Sequence, residues 1–496
     1  MSAIAVDAGT SLIKSVLYDA DGVERRVARR HTRICRPREG WAEQDMAELW
    51  RTVASTIREV AGHAVTPVQF LAVTAQGDGC WLVDTEGEPT GPAILWSDGR
   101  ASPVVESWAR AGVADEAFRI GGFLSFSGLP NAILTWLGRH DPERLRRSSS
   151  ALYCGGWLHL RLTGYVAVDE SDAAAPYMES ASRRYSARLH ELFGTTDLAR
   201  LLPPVRADNA RVSPLSPDAA TELGLADGLP VVMAPYDVVA MSIGTGTTTP
   251  GQSCAILGTT ICTQVVQSEP ANSGSPSGLT LPLGSGTRVL RAFATLSGAE
   301  VLQWARQLLG VNDMDDLGAI AATADVGAGG LVFLPYLAPA GERAPFLDAR
   351  ARGALSGIGL QHGRPEIARA VLEGLCEVVN DCLCATGSSV SQMYCCGGGS
   401  RSDLWCQLIA DVTGVLVRRP ADMEVGARGA FLTGLVATGQ ETDLESAAAD
   451  NVREGGVFAP TPEHSAYYRD HYARFTRLRE TLRPTWADGG VWSARP

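Results

Sequence analysis

The hydrophobic pattern changes period repeatedly along the chain. Ile4–Val6 and Ser15–Tyr18 are short apolar runs on either side of Asp7-Ala8-Gly9-Thr10-Ser11. That pattern predicts a strand, a tight glycine turn and a returning strand. Ser253–Val266 (SCAILGTTICTQVV) repeats it around Gly258-Thr259-Thr260. Two such hairpins half a chain apart predict two similar half-molecules, each offering a loop to a shared cleft. A helical period takes over within Gly40–Ala61, with Met46, Leu49, Trp50, Val53, Ile57 and Val60 on one face.

Further buried strands are predicted at Val68–Thr74, Trp81–Asp84, Val231–Ala234, Leu331–Leu337 and Val390–Cys396. Ala114–Thr163 reads as largely helical and stops at Gly164, and Ser171-Asp172-Ala173 supplies caps for a short helix after it. Later helices are expected over Ala294–Gly310, Pro365–Cys384, Ser402–Thr413, Glu424–Ala437 and Tyr467–Leu482. No low-complexity linker appears, so the domain junction is expected as a compact hinge near Gly244–Gly251, dividing the chain into residues 1–246 and 247–496.

Composition changes this picture little. At 496 residues there is room for two cores. The net charge of −12 argues against a nucleic-acid partner. The 11 cysteines are odd in number and show no paired CxxC, which indicates reduced thiols rather than zinc or disulfides. With no signal-peptide pattern and no apolar run of spanning length, no membrane is expected and the cytoplasm is the default.

Candidate chemistry gathers at strand ends. The first turn brings together Asp7, exposed backbone N–H groups, the hydroxyls of Thr10 and Ser11, and Lys14, the sole lysine of the chain. An anion-binding nest beside a cation suits phosphate, although an ordinary edge hairpin with a solvated lysine has the same pattern. Val68–Thr74 empties into Gln76-Gly77-Asp78-Gly79, either site material or a plain turn, and Trp96, Asp98 and Arg100 cluster after the next strand. Asp237 opens an apolar helix at a strand end, a position for a helix cap or for a general base. Gly397-Gly398-Gly399 separates a strand from a helix, where backbone can approach a nucleotide, but the spacing is not a Rossmann fingerprint. The loop Pro339–Pro345 holds a Glu342-Arg343 pair expected to be buried.

Taken together and in order, these stretches resemble the FGGY carbohydrate kinase family. VDAGTSLIKSVLYD is similar to its first phosphate loop and ILGTT to its second. YLAPAGERAP with ARGALSGIGL, the signature-like run Gly353–Glu373 and CCGGGSRSDLWCQLIADVTG resemble further family segments. The resemblance implies an α/β protein of two actin-like (ribonuclease H-like) domains, with ATP and Mg²⁺ in an interdomain catalytic cleft and phosphoryl transfer to a polyol or sugar hydroxyl. It further implies a metal-neighbouring role for Asp7, phosphate contacts from Gly9, Thr10, Ser11 and Lys14, and the same from Gly258 and Thr259. Gly398 and Gly399 would contact adenosine, and Asp237 would be the catalytic base.

Some positions depart from the family pattern. Ala234-Pro235-Tyr236 replaces a glycine-rich lead into the base, and Ile133 stands where a lysine is usual. The acceptor loop, Gln-Arg-Glu in glycerol kinases and Gln-Met-His-Gly in xylulokinases, reads Gln76-Gly77-Asp78-Gly79 here. With Trp96 and Asp237 as further acceptor contacts, this loop looks most similar to the erythritol kinase branch. A ketose acceptor of xylulokinase or ribulokinase type is the first alternative, and a non-catalytic sugar- and nucleotide-binding regulator the second. The partners expected are therefore a small polyol or sugar and ATP, with a homodimer allowed.

Overall fold

The computed structural model of the chain describes residues 2–487. The polypeptide folds into two compact units. Unit one contains residues up to Thr248 together with Gln267–Leu290 and Glu424–Val452; unit two contains Thr249–Val266, Arg291–Met423 and the stretch from Arg453 onward. The chain thus returns twice to unit one after its first departure.

Unit one is built on a six-stranded sheet in the order Val212–Pro214, Pro230–Met233, Val68–Ala75, Ser2–Ala8, Leu12–Tyr18, Glu24–His31. Ser2–Ala8 runs antiparallel to Leu12–Tyr18 and parallel to Val68–Ala75, which runs parallel to Pro230–Met233. The three parallel strands are apolar and almost wholly buried, as strands covered on both faces must be. Their carboxyl ends point to the same edge, where open α/β sheets present their sites. Register fixes what that edge displays: Asp7 lies opposite Lys14 on one side and Thr74 on the other.

Side chains alternate across a strand, so Ser15 and Tyr18 face opposite sides of the sheet. On the Ser15 side lies the helix Met46–Ala61, capped by Asp45 and tied by a 2.8 Å hydrogen bond between the Ser15 and Thr56 hydroxyls. This helix begins only at Met46; Glu43-Gln44 just before it pairs as a short strand with Ala93–Ile94. On the Tyr18 side lies the helix Val425–Ala437, whose Phe431 ring stacks on Tyr18 at 4.3 Å.

That helix crosses Asp237–Thr245 at backbone contact. A Cβ on Gly429 would stand 1.8 Å from the Ala240 carbonyl oxygen, and one on Gly244 would stand 1.9 Å from that of Val425. Only glycine permits this approach, and the crossing sets where Asp237 begins its helix.

The predicted helical stretch Ala114–Thr163 resolves into Val113–Gly121, Pro130–His140, Pro142–Arg147 and Cys154–Thr163. The next short helix, Glu170–Tyr177, is capped by Asp169, which accepts from Ser171 N. Ser171 and Asp172 therefore lie inside its first turn rather than acting as the caps.

Unit two repeats the central motif. Gln252–Leu257 is antiparallel to Ile261–Gln267 and parallel to Gln392–Cys396, which is parallel to Leu416–Pro420. The long helix Arg364–Thr386 packs beneath, and its signature residues turn out to be locks. Glu373 accepts from Gly327 N (3.0 Å), Arg369 Nε (2.7 Å) and the Tyr468 hydroxyl (2.6 Å), while Glu366 reaches back to accept from Gly363 N (2.8 Å) at the start of the helix. All eleven cysteines are free thiols. Among the described residues no helix is long and apolar enough to cross a membrane.

The glycine crossing predicts a contrast between two helical positions. Gly429→Ala should lower stability in urea titration by about 1–3 kcal/mol or more through overpacking. Gly318→Ala, in the helix Met314–Ala321 with nothing within 4 Å of its Cβ position, should raise stability by up to about 1 kcal/mol.

Candidate functional site

The first turn of unit one holds a chain of ionic contacts. Lys14 Nζ lies 3.4 Å from Asp7 Oδ2 and 3.1 Å from Glu424 Oε2, and Arg29 Nε donates to Glu424 at 3.0 Å. Burial pushes the Asp7 carboxyl up; Lys14 opposes the rise and Glu424 adds to it. Burial also works against the charge on Lys14, but the Asp7 and Glu424 carboxylates outweigh it and hold the ammonium above its usual pKa. Glu424, despite burial, is held below the usual range by Lys14 and Arg29. A Cβ on Gly426 would come within 2.7 Å of Asp7 Oδ2, so the same glycine-rich helix that crosses Asp237–Thr245 leaves room for this carboxylate.

Thr10 joins the first turn to the second strand end. Its hydroxyl donates to Gln76 Oε1 at 2.8 Å and accepts from Trp96 Nε1 at 2.9 Å. Gln76 is buried and its amide also donates to Gln44 Oε1 at 2.9 Å. Thr10, Gln76 and Trp96, each singled out in the sequence, are therefore one hydrogen-bonded set. Ser11 has an exposed side chain at the tip. In the loop after Trp96, Arg100 grips Asp98 at 2.8 Å and lies 3.8 Å from the centre of the Trp41 ring.

Gly77 and Asp78 meet the third strand end. The Tyr236 ring lies where a Gly77 Cβ would be, 2.3 Å from its Cδ2, and the Tyr236 hydroxyl donates to Asp78 Oδ2 at 3.3 Å. Asp78 has φ +53° and Gly79 φ +72°. An aspartate in the left-handed region carries local strain of the kind found at functional loops, while Gly79 takes the same region at no cost.

Tyr236 occupies the cap position and Asp237 is the first helical residue. Burial raises the Asp237 carboxyl well above the usual carboxylate range, and the charges of Asp7 and then Asp78 add to this, against the Val238 N–H and Lys14.

Unit one therefore brings Asp7, Thr10, Lys14, Gln76, Asp78, Trp96 and Asp237 to one sheet edge. Two further carboxylates of this edge escape a reading of the sequence. Glu424 gives no signal there, because its partner Lys14 is remote in the chain; Asp172 carries only the signal of a helix cap.

In unit two the Gly258 hairpin rests on a backing turn. Ala299 N donates to Gly258 O (3.0 Å), Ile261 N to Ser297 O (2.9 Å), and a Gly298 Cβ would stand 2.5 Å from Thr259 O. Glu342, wholly buried, holds that turn by accepting from Leu296 N at 2.7 Å and the Ser297 hydroxyl at 2.9 Å, besides Arg343 N at 2.9 Å. The glycine run divides its roles. Gly397 takes φ +85°, Gly399 makes room for Trp405 (2.4 Å from its Cβ position), and Gly398 faces open space.

Two family models match the chain: the FGGY family of carbohydrate kinases, N-terminal domain, over residues 2–244, and the C-terminal domain over residues 254–438. An erythritol kinase of Brucella abortus is 29% identical, covering 97% of this chain and 96% of its own. A xylulose kinase of Escherichia coli is 30% identical, covering 98% of this chain and all of its own. The crystal structure of a xylulose kinase from Rhodospirillum rubrum superposes with a TM-score of 0.89 at 27% identity, covering 98% of this chain and 100% of that one.

The Glu342 network predicts that Glu342→Ala costs about 2–4 kcal/mol in urea titration, because two backbone N–H groups lose a buried acceptor. Glu342→Gln, which keeps one carbonyl oxygen, should recover at least half of that loss. Equal losses for both would place the effect in charge rather than in the hydrogen bonds.

Proposed function

The chain belongs to the FGGY family of carbohydrate kinases, and from that premise we propose that it transfers the γ-phosphoryl group of ATP to a hydroxyl of a small polyol. The single observation that supports this most is the convergence in unit one of Asp7 and Lys14, Asp78 with Tyr236, and Asp237 at the carboxyl ends of three parallel strands. An acceptor loop with an aspartate and no lysine or histidine suits an acceptor rich in hydroxyls. A ketose is the second reading, favoured by the 30% identity to the xylulose kinase.

On this reading Asp237 takes the proton from the acceptor hydroxyl, and the freed oxygen attacks phosphorus while ADP leaves. Such transfer asks little covalent help from protein; it needs aligned reactants and neutralised charge. We assign Gly9, Thr10, Ser11 and Lys14 to nucleotide phosphate, with Lys14 as the fixed cation. Gln76 and Trp96 hold the Thr10 hydroxyl and, with Gly77 and Asp78, form the acceptor side. In unit two, Gly258 and Thr259 are assigned to phosphate and Gly398, with Gly399 shaping its turn, to adenosine.

Among the described residues no group of three or more side chains is placed to hold a resident metal. Asp7 and Asp237 nevertheless repel one another, and such a pair suits Mg²⁺, which binds through one or two carboxylates plus waters and phosphate oxygens. Asp7 would hold it, directly or through water. When bound, Mg²⁺ supplies charge neutralisation on the phosphates.

The test is ADP formation across erythritol, glycerol, ribitol, D-xylulose and D-ribulose. Turnover is expected with a polyol ahead of the ketoses, and ADP formation indifferent to every acceptor would overturn the reading. Asp237→Ala should keep ATP binding and lose at least about a hundredfold in kcat. The acid limb of kcat/KM should lie above the ordinary aspartate value of about 3.9, because a neutral Asp237 cannot accept a proton. Asp78→Asn removes a negative neighbour, so it should move that limb to lower pH; a limb that stays in place would detach Asp237 from the titration.

A further inference from the structure

One buried carboxyl of unit one has no part in the reaction as described. Asp172 sits in the first turn of Glu170–Tyr177, is 5% exposed, and its Oδ1 has no hydrogen-bond partner. A buried polar atom left unpaired is costly, so a protein that keeps one invites a reason from a ligand.

Its surroundings supply that reason. The preceding residue, Ser171, accepts a 2.9 Å hydrogen bond from Tyr236 N, which pins this turn against the residue before Asp237. A Cβ on Gly155 would stand 3.3 Å from Asp172 Oδ2 and 3.9 Å from the Ala75 Cβ, so the carboxyl lies beside the strand end that leads into Gln76-Gly77-Asp78. Gly155 lacks the atom that would crowd it. Asp172 therefore stands between the two strand ends that carry Asp78 and Asp237.

We propose that Asp172 is an acceptor-binding residue of this site, holding through its unpaired oxygen a hydroxyl other than the one that is phosphorylated. With Asp78 it gives the acceptor side two carboxyls, which favours a molecule bearing several adjacent hydroxyls over one with a single polar end. Burial, reinforced by the charges of Asp78 and Asp237, raises the Asp172 carboxyl well above its usual pKa. A carboxyl that keeps its proton can donate as well as accept, which suits a hydroxyl partner. This inference rests on the kinase reading above.

The test measures kinetics of the full chain with Asp172→Ala and Asp172→Asn, using erythritol and D-xylulose at saturating Mg²⁺–ATP, and ATP at saturating acceptor. For Asp172→Ala the acceptor KM should rise at least about tenfold, the loss of one hydrogen bond to a buried carboxyl, while the ATP KM stays within twofold. Asp172→Asn, the same shape with one donor and one acceptor, should recover part of the loss and serves as the test if the alanine variant fails to fold. An unchanged acceptor KM in a folded variant, or acceptor and ATP KM rising together, would overturn the proposal while leaving the kinase reading intact. A wild-type chain that phosphorylates neither compound, nor any other acceptor tried, would overturn both.

Discussion

Two helices of unit one touch backbone to backbone, and most of its chemistry depends on that contact. Gly244 and Gly429 each lack the Cβ that would strike the other helix's carbonyl oxygens, at 1.9 and 1.8 Å. The approach lets Val425–Ala437 cover the Tyr18 face of the sheet while Asp237–Thr245 emerges from the strand Pro230–Met233. At the amino end of the covering helix, Glu424 reaches Lys14 and Gly426 clears space for Asp7. One steric device thus places the helix that Asp237 opens and completes the ion-pair chain.

The edge so formed is crowded with carboxyl groups. Asp7, Asp78, Asp172 and Asp237 gather there, Lys14 is in contact with Asp7, and burial raises Asp7, Asp172 and Asp237 together. Such an arrangement is unfavourable alone and becomes favourable once cations and hydroxyls enter it. On the proposed kinase reading, a divalent metal beside phosphate and a hydroxyl-rich acceptor would supply that relief. Lys14, shared between Asp7 and Glu424, is held in place by fixed charge rather than by its own flexible stem.

Much of this is legible in the residues themselves. The Gly9 and Gly258 turns announce their hairpins because apolar runs flank glycine and threonine, and both units do contain a hairpin whose first strand pairs in parallel with a later one. The chain order of those segments also points to the FGGY family, which the family models bear out. Glu424 is invisible in the sequence because its meaning comes from Lys14 and Arg29, far away along the chain. The crossing glycines hide for a related reason: a small-residue helix says that something comes close, but not what. Ser-Asp-Ala before a helix has the composition of a cap, which disguises Asp172, while Asp169 already fills that position. Gln76, by contrast, stands out in the sequence as a polar residue at a strand end, and it is engaged with Thr10 and Gln44.

Whether the acceptor hydroxyl meets Asp237 at the edge shared with Asp7 and Asp78 decides the rest. A crystal structure of the chain with erythritol, Mg²⁺ and a non-hydrolysable ATP analogue addresses it directly. A hydroxyl oxygen is expected within about 3 Å of an Asp237 carboxylate oxygen, the reach a general base requires. An acceptor bound away from Asp237, or an Asp237 carboxylate facing no hydroxyl, would contradict it.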